Sequence, residues 1–219
     1  MDPSTRNELG VRVIAKFFEN IEKLGAPLPQ LWTDAFEFMT QGARAKGKDE
    51  VIEQGFLRVS VLLAAAAFEG FVNYVAERVV QAGDVHGIKL TEFELDCLGE
   101  RRRILDNGVI KVKRQIYSTR ERFLLLCRKL SHGHAISAEY EAKLESSIET
   151  RDLLVHPKPG NPINVDAKCV MGFFTAALWL SESLAGLSFS VTNAENLGQR
   201  DRNSDFTHGV GMASADGQP

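Results

Sequence analysis

Apolar residues recur at helical spacing along most of this chain. Leu9, Val13, Phe17, Ile21 and Leu24 predict a first helix, begun by Ser4 or Thr5 with Glu8 and closed by Gly25. Leu31, Trp32, Ala35, Phe36 and Met39 predict a second, ending near Gly42. One long helix is expected from about Asp49 to Gln81, where the small residues Ala64 to Ala67 let a neighbouring helix come close. Thr91 with Glu94 has the capping-box spacing of a short helix. Thr119 to Leu130 reads as a helix with Phe123, Leu124, Cys127 and Leu130 on its buried side. Ser137, followed by Glu139 and Glu141, opens another, whose stripe is Tyr140, Leu144, Ile148 and Leu154. Val165 to Leu187 is apolar almost all round, which suits central burial or a dimer interface. Alternation appears only briefly: Val109 to Val112, after the turn Asp106-Asn107-Gly108, predicts a short strand or extended link.

The pattern predicts an all-α fold, a helical bundle around one long central helix. It divides into an N-terminal helical extension (1–48), a main helical domain (49–187) and a polar tail (188–219) expected to be mobile. The N-terminal helices are expected either to cover the main domain or to join a dimer.

With 44% apolar residues the chain can build a core, and its net charge of −3 supplies no general basic field for nucleic acid. One segment departs from that average. Arg101 to Lys129 carries ten basic residues against Asp106 and Glu121, a local net of +8. It reads equally as a phosphate-binding surface or as a solvated helix face. Cys97, Cys127 and Cys169 are scattered, which argues against a disulfide framework or a zinc site. His132 and His134 have no carboxylate or Cys beside them and read as loop residues. The polar start and the break of the Val59–Phe68 run at Glu69 suggest a cytoplasmic protein that does not span a membrane. No phosphate-binding glycine loop, nucleophile elbow or paired metal motif occurs, so no cofactor and no metal are expected.

Candidate chemistry gathers in Glu149-Thr150-Arg151-Asp152-Leu153-Leu154-Val155-His156-Pro157. Proline stops the helix, so Arg151 and Asp152 belong to its last turns and His156 to its end. Asp152 and His156 fall near one face, and the long stem of Arg151 reaches towards them. A permanent cation thus meets the side chain type that titrates near neutrality. On the long helix, Glu69 and Asn73 also share a face, in the stretch Leu63-Ala64-Ala65-Ala66-Ala67-Phe68-Glu69-Gly70-Phe71-Val72-Asn73. Taken alone, Glu69 fits an exposed or structural position. Arg151, Asp152 and His156 likewise fit a C-terminal cap with its ion pair.

The Arg151-x4-His156 string, with the Glu69–Asn73 helix before it, resembles the HEPN domains, small all-helical domains of which many are metal-independent endoribonucleases. The resemblance covers roughly Val51 to Leu187. It departs at Asp152, where the family commonly has Asn and where a carboxylate repels phosphate. It implies a homodimer whose motifs face a shared basic cleft, with cleavage that leaves a 2′,3′-cyclic phosphate. In prokaryotes such domains often belong to toxin–antitoxin or anti-phage systems, so an antitoxin or other protein is an implied partner besides RNA.

The residue chemistry suits that activity. RNA carries its own nucleophile and needs only a base, an acid and positive charge on the phosphorane. His156 is the expected general acid or base, and Arg151 the group that stabilises the phosphoryl oxygens. Glu69 or Asp152 is expected to hold the imidazole tautomer. Asn73, Arg101, Arg102, Arg103, Lys113 and Arg114 are the expected substrate contacts. The alternatives are a catalytically silent HEPN-like domain that dimerises and binds a protein or nucleotide, and an unrelated helical scaffold in which Glu69 and Arg151 never meet.

Overall fold

The longest apolar stretch becomes the longest helix. The computed structural model describes residues 17–23, 29–82, 87–107, 109–130, 136–158 and 163–185. Helix α1 covers 17–23, α2 Pro29–Ala45, α3 Glu50–Ala82 and α4 Glu92–Leu98. A hairpin of β1 (Arg101–Asp106) and β2 (Val109–Arg114) follows, then α5 (Thr119–Leu130), α6 (Ala138–Val155) and α7 (Ala167–Ala185). The fold is mostly helical, with one two-stranded antiparallel sheet among the described residues. Residues Met1–Ser188 form one unit and Phe189–Pro219 a second. The second lies outside the described residues, as do the expected cap at Ser4, Thr5 and Glu8 and the pair His132 and His134.

Local chemistry sets the helix boundaries. Asp49 accepts from the Ile52 amide at 3.0 Å and starts α3. Thr91 and Glu94 complete the expected capping box of α4. Burial raises the Glu94 pKa, but hydrogen bonds from Lys129 and Thr91 outweigh it and hold the carboxyl below its ordinary value. Ser118 and Glu121 form a reciprocal pair at the start of α5, and the Ser118 hydrogen bonds lower the Glu121 pKa. Ser137 caps α6.

Helix α3 packs against α2, α4, α5, α6 and α7. By length and composition it could cross a membrane, contrary to the expectation drawn from Glu69, yet half of its apolar window is buried within the bundle. Two aromatic groups tie the helices together. Phe17, Trp32 and Phe174 meet edge to face at 4.8–5.5 Å, joining α1 and α2 to α7. Phe68 touches Phe123 at 5.3 Å and Phe173 at 5.6 Å, joining α3, α5 and α7. The N-terminal helices therefore lie on the core of the main bundle, and α7 is buried within it. At Gly172, α6 and α7 touch so closely that an added Cβ would lie 2.0 Å from Ser147 Oγ and 2.7 Å from the Lys143 carbonyl oxygen.

The hairpin corrects the helix-face reading of the basic segment. Arg101 pairs with Arg114, Arg102 with Lys113 and Asp106 with Val109, so the hairpin loop falls between the last two. Asn107 has φ 51°, the left-handed value such a loop demands. Strand β2 is exposed along its whole length.

Candidate functional site

Helix α6 has a narrow buried side. Leu144 and Ser147 are buried on it, and Arg151 follows one turn later, half-buried. Asp152 and His156 point to solvent. His156 forms the C-cap, its amide donating to the Asp152 carbonyl at 2.8 Å. Helix α6 packs on α3, so the two helices that carry the expected site are neighbours. The segment after the motif is stitched to α3 as well. Gln54 exchanges two hydrogen bonds with the backbone of Val165, and Arg58 donates to the Ile163 carbonyl at 3.1 Å.

Among the described residues, Arg151 bonds only its neighbour, with Nη1 to Asp152 Oδ1 at 3.2 Å, and its buried Nε has no partner. The side chain stays 34% exposed, so the rest of the guanidinium can meet an anion. Among the described residues, Glu69 is exposed and no hydrogen bond or ion pair joins it to Arg151 or His156. Among the described residues the structure thus joins Arg151 to Asp152 and places His156 at the end of the same helix, with no bond from its imidazole to either, and leaves Glu69 unbonded to all three.

Half of the ten cations in the basic segment are ion-paired among the described residues. Arg103 pairs with Glu92 at 3.0 Å and Asp96 at 3.5 Å, and Arg114 with Glu100 at 3.1 Å. Arg120 pairs with Glu141 and Glu145, and Lys129 with Glu94. Arg101 and Lys113 are exposed with no ion-pair partner among the described residues. Arg102 sits on β1 opposite Lys113. Arg101 and Lys113 are thus expected substrate contacts that stand open to phosphate.

Asn73 is engaged elsewhere. Its Oδ1 accepts from Arg122 Nη1 at 2.5 Å. Arg122 is only 5% exposed and also donates to Glu100 Oε1 at 3.1 Å and the Leu98 carbonyl at 3.2 Å. Glu100 holds φ 52°, an unusual left-handed conformation for a side-chain-bearing residue. This clasp joins α3, α5 and the α4–hairpin junction and lines a cleft of about 420 Å³. Sequence reasoning passed over Arg122, counting it as one cation in a run. The signal that marks it is its place one residue before Phe123, on the buried side of α5.

Nucleophilic thiol chemistry is disfavoured at the two core cysteines. Burial pushes the Cys97 thiol up, and the same cause pushes Cys127 up strongly. No three His, Cys, Asp or Glu side chains gather as a metal-binding group among the described residues.

Comparison with protein-family models, curated proteins and solved structures returns no match. The class defined by the coordinates is a mostly helical bundle with a projecting hairpin.

Proposed function

We propose that this chain is a metal-independent endoribonuclease of HEPN type that works as a homodimer, in a toxin–antitoxin or anti-phage setting of the cytoplasm. The reading rests on one observation: a half-exposed guanidinium with one acidic neighbour and an exposed imidazole close the same helix, against the helix of Glu69. His156 takes the proton from the ribose 2′-hydroxyl, whose oxygen attacks phosphorus, or returns a proton to the departing 5′-oxygen. Arg151 displaces its bond to Asp152 and holds the phosphoryl oxygens as charge builds. The products are a 2′,3′-cyclic phosphate and a 5′-hydroxyl. One chain has one such imidazole in the motif, and a second copy supplies the other proton-transfer group.

An apolar stripe favours that second copy. Ile52, Val59 and Leu62 lie on one face of α3 and are 39–50% exposed, while Leu153 and Val155 beside the motif are 44% and 48% exposed. Two copies packed there shield the stripe and bring two motifs near each other.

The second reading is a silent HEPN-like domain that dimerises and binds a protein or nucleotide. Its support is Asp152, which already bonds Arg151, together with the unengaged Glu69. Incubation of cellular RNA with the full chain in EDTA separates the two. The endoribonuclease reading expects cleavage that disappears in His156→Ala and Arg151→Ala at equal helicity. Intact RNA with a stable dimer supports the silent domain.

A further inference from the structure

The cleft beside Arg122 has a use that the clasp alone does not explain. Arg122 occupies Asn73 Oδ1 and so fixes which way the Asn73 amide faces, leaving Nδ2 without a hydrogen-bond partner among the described residues. One turn further along α3, Glu77 lines the same cleft, exposed, with one oxygen accepting from Gln81 Nε2 at 3.1 Å. Val80 and Leu98 give the cleft apolar wall, and Arg101 stands exposed at it with no ion-pair partner among the described residues. An amide donor beside a carboxylate, over apolar wall and next to an exposed cation, is a specific combination.

Among the RNA bases, only guanine presents one acceptor followed by two adjacent N–H donors on its pairing edge. A carboxylate takes the two donors at N1 and N2 together, and a neighbouring amide donates to O6. Adenine and cytosine put an acceptor where the carboxylate would meet a donor, and uracil offers a single N–H. A volume of about 420 Å³ admits a base with its ribose.

We infer that this cleft binds an unpaired guanine of the RNA strand, with Glu77 on N1–H and N2–H, the Asn73 amide on O6 and Arg101 on an adjoining phosphate. The inference rests on the RNA reading above and adds a base preference to it. Arg122 is a positioning residue here: it orients Asn73 and does not touch the base.

The test uses the full chain carrying His156→Ala, with labelled single-stranded oligonucleotides that differ only in one central guanine, inosine or adenine. Fluorescence anisotropy is expected to rank guanine above adenine by roughly tenfold, the discrimination typical of a bidentate base contact, with inosine between because it lacks the 2-amino group. Glu77→Ala removes the ranking, and so does Val80→Trp, which fills the cleft by a different route. Equal affinity for all three strands, or a ranking that survives both substitutions, overturns the inference. If the wild type cleaves RNA while the ranking is absent, the cleft inference falls and the endoribonuclease reading stands. If the ranking holds in a chain that cleaves nothing, the cleft stands and the catalytic reading falls. Failure of every strand to bind overturns both.

Discussion

Arg122 and Arg151 are two arginines of one bundle in opposite surroundings. Arg122 is 5% exposed and donates to an amide oxygen, a carboxylate and a backbone carbonyl. Arg151 keeps 34% of its side chain in solvent and bonds one carboxylate, on the adjacent residue. A buried guanidinium is tolerated when most of its donors are matched, because desolvation of an unpaired charge is costly; among the described residues the buried Nε of Arg122 has no partner, and neither has that of Arg151. A guanidinium that must meet phosphate needs the reverse, with donors left over. The contrast separates a buried cation that joins three elements from a half-exposed one with donors left over, in a chain whose sequence shows both as Arg on a helix.

The largest expected effect tests the available cation. Arg151→Ala lowers RNA cleavage by about two to three orders of magnitude, the usual loss for one donor to a developing oxyanion, while thermal unfolding stays close to wild type. Cleavage by the variant at the wild-type rate would remove Arg151 from the chemistry. Asp152→Asn sharpens the same point, because it removes the competing carboxylate and is expected to raise cleavage.

Next comes the structural cation. Arg122→Met leaves Glu100 and Asn73 without their shared donor and is expected to destabilise the fold by about 2–3 kcal/mol in denaturant titrations. The value sits below the usual range for breaking a buried pair because Glu100 is 25% exposed and keeps Arg114. A loss within a few tenths of a kcal/mol would show the clasp to be decoration, and the comparison would lose one side.

Gly172→Ala is of similar or smaller size. Its Cβ would meet the Lys143 carbonyl at 2.7 Å as well as Ser147 Oγ, so the α6–α7 crossing must open. A cost of about 1–3 kcal/mol is expected, as for other overpacked contacts. Because α6 carries the motif, this substitution is also expected to reduce cleavage. Unchanged stability would mean that the helices separate freely.

The smallest effect is at the α4 cap. Thr91→Ala removes one half of the capping box and is expected to cost about 1 kcal/mol. The Glu94 pKa is lower in the fold than in the unfolded chain, so its contribution is present above the unfolded carboxylate value and fades as pH falls through the lower folded one. Chemical denaturation of wild type and Glu94→Gln should therefore converge in acid and separate towards neutral pH. Parallel curves at all pH values would contradict the paired state of this carboxylate.

Much of the helical framework was legible because local rules carried it. The Thr91–Glu94 box, the Ser137 cap, the limits of α5 and the long α3 all follow from residues within a few positions of each other. The hairpin was half-visible: Asn107-Gly108 announces a two-residue loop, but the three arginines of β1 obscure any alternation. What sequence could not display was pairing over distance. The cations from Arg101 to Lys129 read equally as a phosphate surface or a solvated helix face, and neither reading showed that Glu92, Asp96, Glu100 and Glu141 would pair with Arg103, Arg114 and Arg120. Glu69, which taken alone fits an exposed or structural position, lies on the exposed edge of its helix, and only its expected place beside Arg151 called for a contact that the sequence could not test. The Arg122 clasp depends on Asn73, 49 positions away, a separation beyond any periodic rule.

The central claim is that the loosely held pair Arg151 and His156 works on the RNA backbone. It is tested most directly by mapping the ends of RNA incubated in EDTA with wild type and with His156→Ala. The account predicts 2′,3′-cyclic phosphate and 5′-hydroxyl ends from the wild type and uncut RNA from the variant. Uncut RNA in both, or identical ends at equal rates, would contradict it.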